Sequence, residues 1–160
     1  MSVQLTGADL IDLAVQTERR GERFYRDAEA ATTQADAQTL FKYLGDQEVV
    51  HRKLFERLGS AIVVTEIDPT AWDEALEYIE ATVDSAFFTK DAPIRRIPEG
   101  ATTTEMLSLA IEFEQQTLLY FASLRDLVQP ANRELVDRII AEERSHVRRL
   151  AAMRKELGAV

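Results

Sequence analysis

Two short segments of this 160-residue chain combine residues able to hold a metal ion: Glu48-Val49-Val50-His51 and Glu143-Arg144-Ser145-His146. They contain the only two histidines of the sequence, and each histidine follows a glutamate by three positions. Glutamate supplies 17 of the 160 residues, so chance alone gives this double pairing about one time in a hundred. On an α-helix, positions i and i+3 lie on the same side, roughly 60° apart about the axis. A carboxylate and an imidazole placed that way can share one divalent ion. Two such pairs point to two metals, or to one dinuclear site.

The pairs matter only if helices carry them inward. A first helix is expected from Thr6, where Thr6-Gly7-Ala8-Asp9 resembles a capping box. Leu10, Ala14, Thr17, Gly21, Phe24, Ala28 and Ala31 follow in steps of three and four, a bundle seam. Glu18 sits beside that seam and either snorkels outward or meets a buried partner. A second helix runs from the turn at Thr32–Asp36 to about Leu58 and stops at Gly59. Its seam is Ala37, Leu40 with Phe41, Leu44, Glu48, His51, Leu54 with Phe55, then Leu58. Glu48 and His51 therefore interrupt an apolar stripe, which is costly unless something compensates for their desolvation.

Residues 60–102 form a long connection with a short helix of its own. Asp68-Pro69 is its start signal, and Trp72, Ala75, Leu76, Ile79, Val83 and Phe87 line one face. The opposite face carries Asp73, Glu74, Glu77, Glu80 and Asp84, an arrangement that most often is simply solvated. A further helix opens at the capping box Thr102-Thr103-Thr104-Glu105. Its seam is Met106, Ala110, Phe113 with Glu114, Thr117, Tyr120 with Phe121, Leu124 and Leu127. Gln129-Pro130-Ala131-Asn132 breaks that helix and caps the last one. The last seam is Leu135 with Val136, Ile139, Glu143, His146 with Val147, Leu150, Met153 and Leu157, ended by Gly158.

The two halves repeat each other. Ala14, Glu18, Phe24 and Tyr25 return as Ala110, Glu114, Tyr120 and Phe121, each 96 positions later. Each half is thus a helical hairpin with a lone glutamate on its first helix and Glu-x-x-His on its second. Short loops make the helices of a hairpin antiparallel neighbours. Two hairpins related by a pseudo-twofold axis would bring Glu18, Glu48, His51, Glu114, Glu143 and His146 to one level.

Composition limits the alternatives. There is no cysteine, which excludes disulfides, thiolate metal clusters and a cysteine nucleophile. The formal charge of −9 repels phosphate backbones, so nucleic acid is not expected as a partner. No apolar run approaches a membrane span and no signal-peptide pattern opens the chain, so a cytoplasmic protein with no membrane association is expected. The protease pattern His-Glu-x-x-His is missing, which argues against hydrolytic zinc chemistry.

One glutamate from each of two helices plus Glu-x-x-His from the other two is the dinuclear carboxylate pattern of ferritin-like bundles. Within that class the chain resembles the rubrerythrin branch, on Glu18 followed seven residues on by Tyr25, Glu48-x-x-His51, Glu114 and Glu143-x-x-His146. The resemblance implies an all-α, ferritin-like four-helix bundle in one domain over residues 1–160. Its hairpins would span about 6–59 and 103–158, with an additional short helix in the crossover 60–102. It further implies two metal ions, iron foremost with manganese or zinc as alternatives. Glu48 and Glu143 would bridge them, Glu18 and His51 would complete one, and Glu114 and His146 the other. Tyr25 would be either a hydrogen-bonding or radical-quenching neighbour of the site or an ordinary core aromatic.

The implied activity is reduction of hydrogen peroxide or O2 with oxidation of Fe(II); the alternative is binding or storage of iron without fast turnover. Two departures stand out. Rubrerythrins usually have a further glutamate one turn after the third-helix ligand, where this chain has Thr117, and the four-cysteine rubredoxin domain is missing. Glu22, one turn after Glu18, is either a substitute ligand or a solvated neighbour of Arg19 or Arg26. An external electron donor and a homodimer, with the Trp72 helix as candidate interface, complete the expectation.

Overall fold

The computed structural model describes residues 7–59, 70, 73, 74, 77 and 96–158. Four long helices dominate: α1 (Gly7–Ala31), α2 (Ala35–Gly59), α3 (Thr103–Leu127) and α4 (Pro130–Leu157). The expected crossover helix, including its Trp72 face, lies outside the described residues, apart from Thr70, Asp73, Glu74 and Glu77, which are helical. Among the described residues no helix is long and apolar enough to cross a membrane.

Local chemistry accounts for the helix ends. Between α1 and α2 the chain turns in three residues, Thr32 to Gln34. The Thr32 amide donates back to the Ala28 carbonyl, and its hydroxyl accepts from the Gln34 amide at 3.2 Å. At α3 the capping box forms in full: Glu105 N–H donates to the Thr102 hydroxyl, and the Glu105 carboxylate accepts from Thr102 N–H. At α4 the start differs in detail from the expected cap. Pro130 occupies the first turn and Gln129 is the N-cap, its side chain making no capping hydrogen bond. Asn132 lies inside the helix, its amide bonded to the Gln129 carbonyl. Proline supplies a pre-set φ and has no N–H to satisfy, so the helix begins there.

Helix α1 packs against α2 and α3, and α4 against α3 and α2. The hydroxyls of Thr32 and Thr103 meet at 2.7 Å, which joins the end of α1 to the start of α3. At the opposite end Tyr120, late in α3, donates to the Leu10 carbonyl, early in α1. Helices α1 and α3 are therefore antiparallel, as are the partners within each hairpin. The end of α2 and the start of α3 therefore lie at opposite ends of the bundle, about 37 Å apart along its length.

The seams pack as their spacing predicts, and they pack in two blocks. One block joins Leu10, Ala14, Phe55, Tyr120, Phe121, Leu124, Val136 and Ile139. The other joins Phe24, Tyr25, Phe41, Leu44, Met106, Leu107, Ala110 and Leu150. Between them, equally buried, lie Thr17, Glu18, Glu48, His51, Glu114, Thr117, Glu143 and His146. At the seam margins Ala31 is exposed, and Leu40, Leu54, Phe113, Val147, Met153 and Leu157 are only partly buried.

The packing difference is measurable. Leu107 is fully buried, whereas Val50 is 47% exposed on α2. Leu107→Ala should cost about 2–5 kcal/mol in denaturant unfolding, and Val50→Ala within about 0.5 kcal/mol.

Candidate metal centre

Each helix sends one or two polar groups into the middle layer. Helix α1 contributes Glu18, α2 Glu48 and His51, α3 Glu114, and α4 Glu143 and His146, all at 1% exposure or less. Glu18 thus lies inside, with no room to snorkel. Ligand-capable atoms of Glu18, Glu48, His51 and Glu143 lie within 4.8 Å of one another. The same holds for Glu48, Glu114, Glu143 and His146. All six residues that the sequence singles out are brought together, and Glu48 and Glu143 belong to both groups.

Glu143 stands between the two imidazoles. His146 Nδ1 donates to its Oε2 at 2.7 Å, and His51 Nδ1 approaches its Oε1 at 2.7 Å without hydrogen-bond alignment. Glu18 Oε2 lies 3.8 Å from His51 Nδ1, and Glu114 Oε1 lies 3.8 Å from His146 Nδ1. The two rings face each other with centroids 5.7 Å apart and planes inclined by 21°. Both Nδ1 atoms therefore point inward, at one shared pocket of oxygens.

Neighbouring residues shape the layer. Tyr25 Oη donates to Glu114 Oε1 across the bundle, so this tyrosine touches the site as well as the core. Gly21 makes room for Glu48: a Cβ there would fall 2.7 Å from Glu48 Oε2. Glu22 forms its ion pair with Arg52 at 2.7 Å, lies close enough to Arg26 to act on its charge, and does not join the cluster. Thr117 is buried one turn beyond Glu114, and its hydroxyl has no hydrogen-bond partner.

One contact was not anticipated from the sequence. Glu142 Oε2 accepts from His51 Nε2 at 2.8 Å, gripping the ring on the side away from the other carboxylates. Glu142 lies off the α4 seam and half in solvent, so periodicity does not mark it. The available signal was its position beside Glu143, next to the duplicated motif.

The charges are poorly matched without a cation. Burial raises Glu18 to about 8, the charge of Glu143 adding to this against the pull of Glu48, His51 and Arg52. Burial also pushes Glu48 and Glu114 well above the usual carboxylate range, reinforced by neighbouring carboxylates. Burial would raise Glu143 too, but its contacts with His146 and His51 hold it at about 2. His51 is desolvated, yet Glu143 and its other carboxylate neighbours lift it to about 9. Tyr25 is pushed up by burial and by the charges of Glu114 and Glu48, and stays protonated.

These residues fit a pair of divalent ions. Both oxygens of Glu18, and Glu48 Oε1, His51 Nδ1, Glu114 Oε2 and Glu143 Oε1, are buried without hydrogen-bond partners among the described residues. Such orphan atoms are rare in an interior unless a ligand satisfies them. Four carboxylates balance four positive charges, and an oxygen-rich set with two imidazoles suits iron or manganese.

Two outcomes follow for the metal-free protein. Glu18, Glu48, Glu114 and His51 all have folded pKa values above their unfolded ones, so their stabilisation is present in acid and lost as pH rises. Glu143, held low, matters only below about pH 4.5. Stripped protein should therefore melt at falling temperature from pH 5 to pH 9, while Mn(II)- or Fe(II)-loaded protein melts higher by a margin that widens with pH. A flat profile for stripped protein, or an unchanged melt on loading, would count against the centre. Gly21→Ala favours the helix by propensity but displaces Glu48, so metal uptake should weaken although the variant stays folded by circular dichroism.

No protein-family model and no curated protein matches the chain. A crystal structure from Thermotoga maritima, assigned as a ferritin-like diiron-carboxylate protein, superposes with a TM-score of 0.67. It is 23% identical in sequence, and the match covers 98% of this chain and 99% of that one. In its fold this chain is a ferritin-like four-helix bundle.

Proposed function

We propose that the chain binds two divalent metal ions, iron foremost, and uses them to reduce hydrogen peroxide or O2 while Fe(II) is oxidised. The observation that carries this reading is the pair of buried ligand groups sharing Glu48 and Glu143. Glu18 and His51 would complete one ion and Glu114 and His146 the other, with manganese or zinc as alternatives to iron. Two bound Fe(II) ions would supply one electron each, the two that take hydrogen peroxide, with two protons, to two waters.

The chain's own residues prepare the site for that exchange. Both histidines present Nδ1 to the centre. Glu18, Glu48 and Glu114 retain protons in the metal-free protein, because burial disfavours their charge. Those protons must leave when ions enter, so uptake should be proton-releasing. Tyr25 fixes Glu114, 89 positions away in sequence but adjacent in space, by donating through Oη. The two apolar blocks, one on each side of the layer, keep water from the centre. Reducing equivalents would come from a separate donor or from ferrous iron itself.

A second reading, metal binding or storage without fast turnover, draws on Thr117. A rubrerythrin-like set would have a further carboxylate there, and among the described residues the clustered groups number six. Kinetics separates the two readings. Anaerobic protein loaded with Fe(II) is mixed with substoichiometric peroxide. Oxidation of two Fe(II) per peroxide, faster than for the same Fe(II) in buffer, is expected, and Glu48→Ala and Glu143→Ala should each abolish it. Slow oxidation with reversible release of iron would favour storage instead.

A further inference from the structure

The repeat that builds the site is broken where it would make the two histidines equivalent. In the register that lays Glu143 on Glu48 and His146 on His51, the counterpart of Glu142 is Gln47. Glu142 is the residue that reaches across from α4 and accepts the proton of His51 Nε2 at 2.8 Å. His146 has no such carboxylate: among the described residues its ion-pairing partners are Glu114 and Glu143, both inside the cluster. Beside its ring stands Tyr43, edge-on at 6.2 Å, with the Arg149 guanidinium 4.9 Å over the Tyr43 ring.

We infer that Glu142 is a positioning residue that makes the two metal subsites unequal, the His51 subsite binding first and more tightly. This rests on the dinuclear reading above. A carboxylate on the outer imidazole nitrogen fixes which nitrogen carries the proton, orients the ring and raises the basicity of the other nitrogen. His51 therefore offers Nδ1 to the centre with Nε2–H held, in the geometry that a metal requires of it. His146 meets an aromatic edge with a cation above that aromatic, and among the described residues no carboxylate outside the cluster forms an ion pair with it. Glu142 belongs to neither group of candidate metal ligands. Its side chain is 43% exposed, so it can be changed without opening the core.

The experiment is an anaerobic titration of stripped full-length protein with Co(II), read by visible absorption, for the wild type, Glu142→Gln and Gln47→Glu. The wild type should fill in two resolved steps. Glu142→Gln should weaken the tighter step about 10- to 100-fold and leave the other in place, and Gln47→Glu should tighten the weaker step. A second readout needs no affinity difference. With Zn(II) as a diamagnetic probe, long-range 1H–15N spectra report both imidazoles, and with two histidines in the chain assignment is direct. The His51 Nε2–H signal should shift in Glu142→Gln, and that of His146 should not.

Two equal steps in the wild type, or identical titrations and spectra for the wild type and Glu142→Gln, would overturn the inference while leaving a dinuclear site intact. Failure of the wild type to take up Co(II) at all would instead overturn the dinuclear reading on which it rests. A purely structural role for Glu142 would lower the melting temperature of stripped protein without separating the two binding steps, and that result also overturns it.

Discussion

Four carboxylates buried in one layer of a helical bundle repel one another and lack the water that would otherwise solvate them. The described core of this protein is arranged around that constraint. The apolar packing is divided into two blocks because the middle layer cannot be apolar. Two imidazoles, and carboxyl groups whose charge burial disfavours, relieve part of the charge in the metal-free chain, and among the described residues six cluster atoms have no hydrogen-bond partner. Burying ion pairs seldom adds stability by itself. An arrangement this expensive makes physical sense when a cation completes it, and the repulsion then becomes the source of the affinity.

The same constraint explains the small residues nearby. Gly21 occupies a seam position where a larger side chain would pack better, yet the Glu48 carboxylate takes that space. Its counterpart 96 positions later, Thr117, is buried with its hydroxyl unpartnered. The two halves of the bundle therefore repeat in their ligands and differ in what surrounds them. Glu142 against Gln47 is the same kind of difference on the outer side of the histidines.

Much of this was legible from residue spacing. The lone glutamates, the Glu-x-x-His pairs and the 96-residue repeat locate all six clustered groups, because period and burial are coupled in a helix. The capping box at Thr102 was equally plain, since its chemistry is local. Contacts between helices were harder. That Tyr25 bonds Glu114 depends on how α1 lies against α3, which spacing within one helix does not specify. Glu142 was invisible for a related reason: it sits off the seam, and its partner is on another helix. Glu22 resolved the other way, drawn off by Arg52 from α2. The Trp72 helix lies outside the described residues, and its proposed interface with it.

The central claim is that Glu48 and Glu143 stand between two metal ions. Anomalous diffraction at the iron and manganese edges, on crystals of protein expressed with both metals supplied, tests it most directly. The account predicts two peaks in the buried layer, one beside Glu18 and His51 and one beside Glu114 and His146, with Glu48 and Glu143 reaching both. A layer with no anomalous peak in crystals of metal-supplemented protein, or a single peak outside the six-residue cluster, would contradict it.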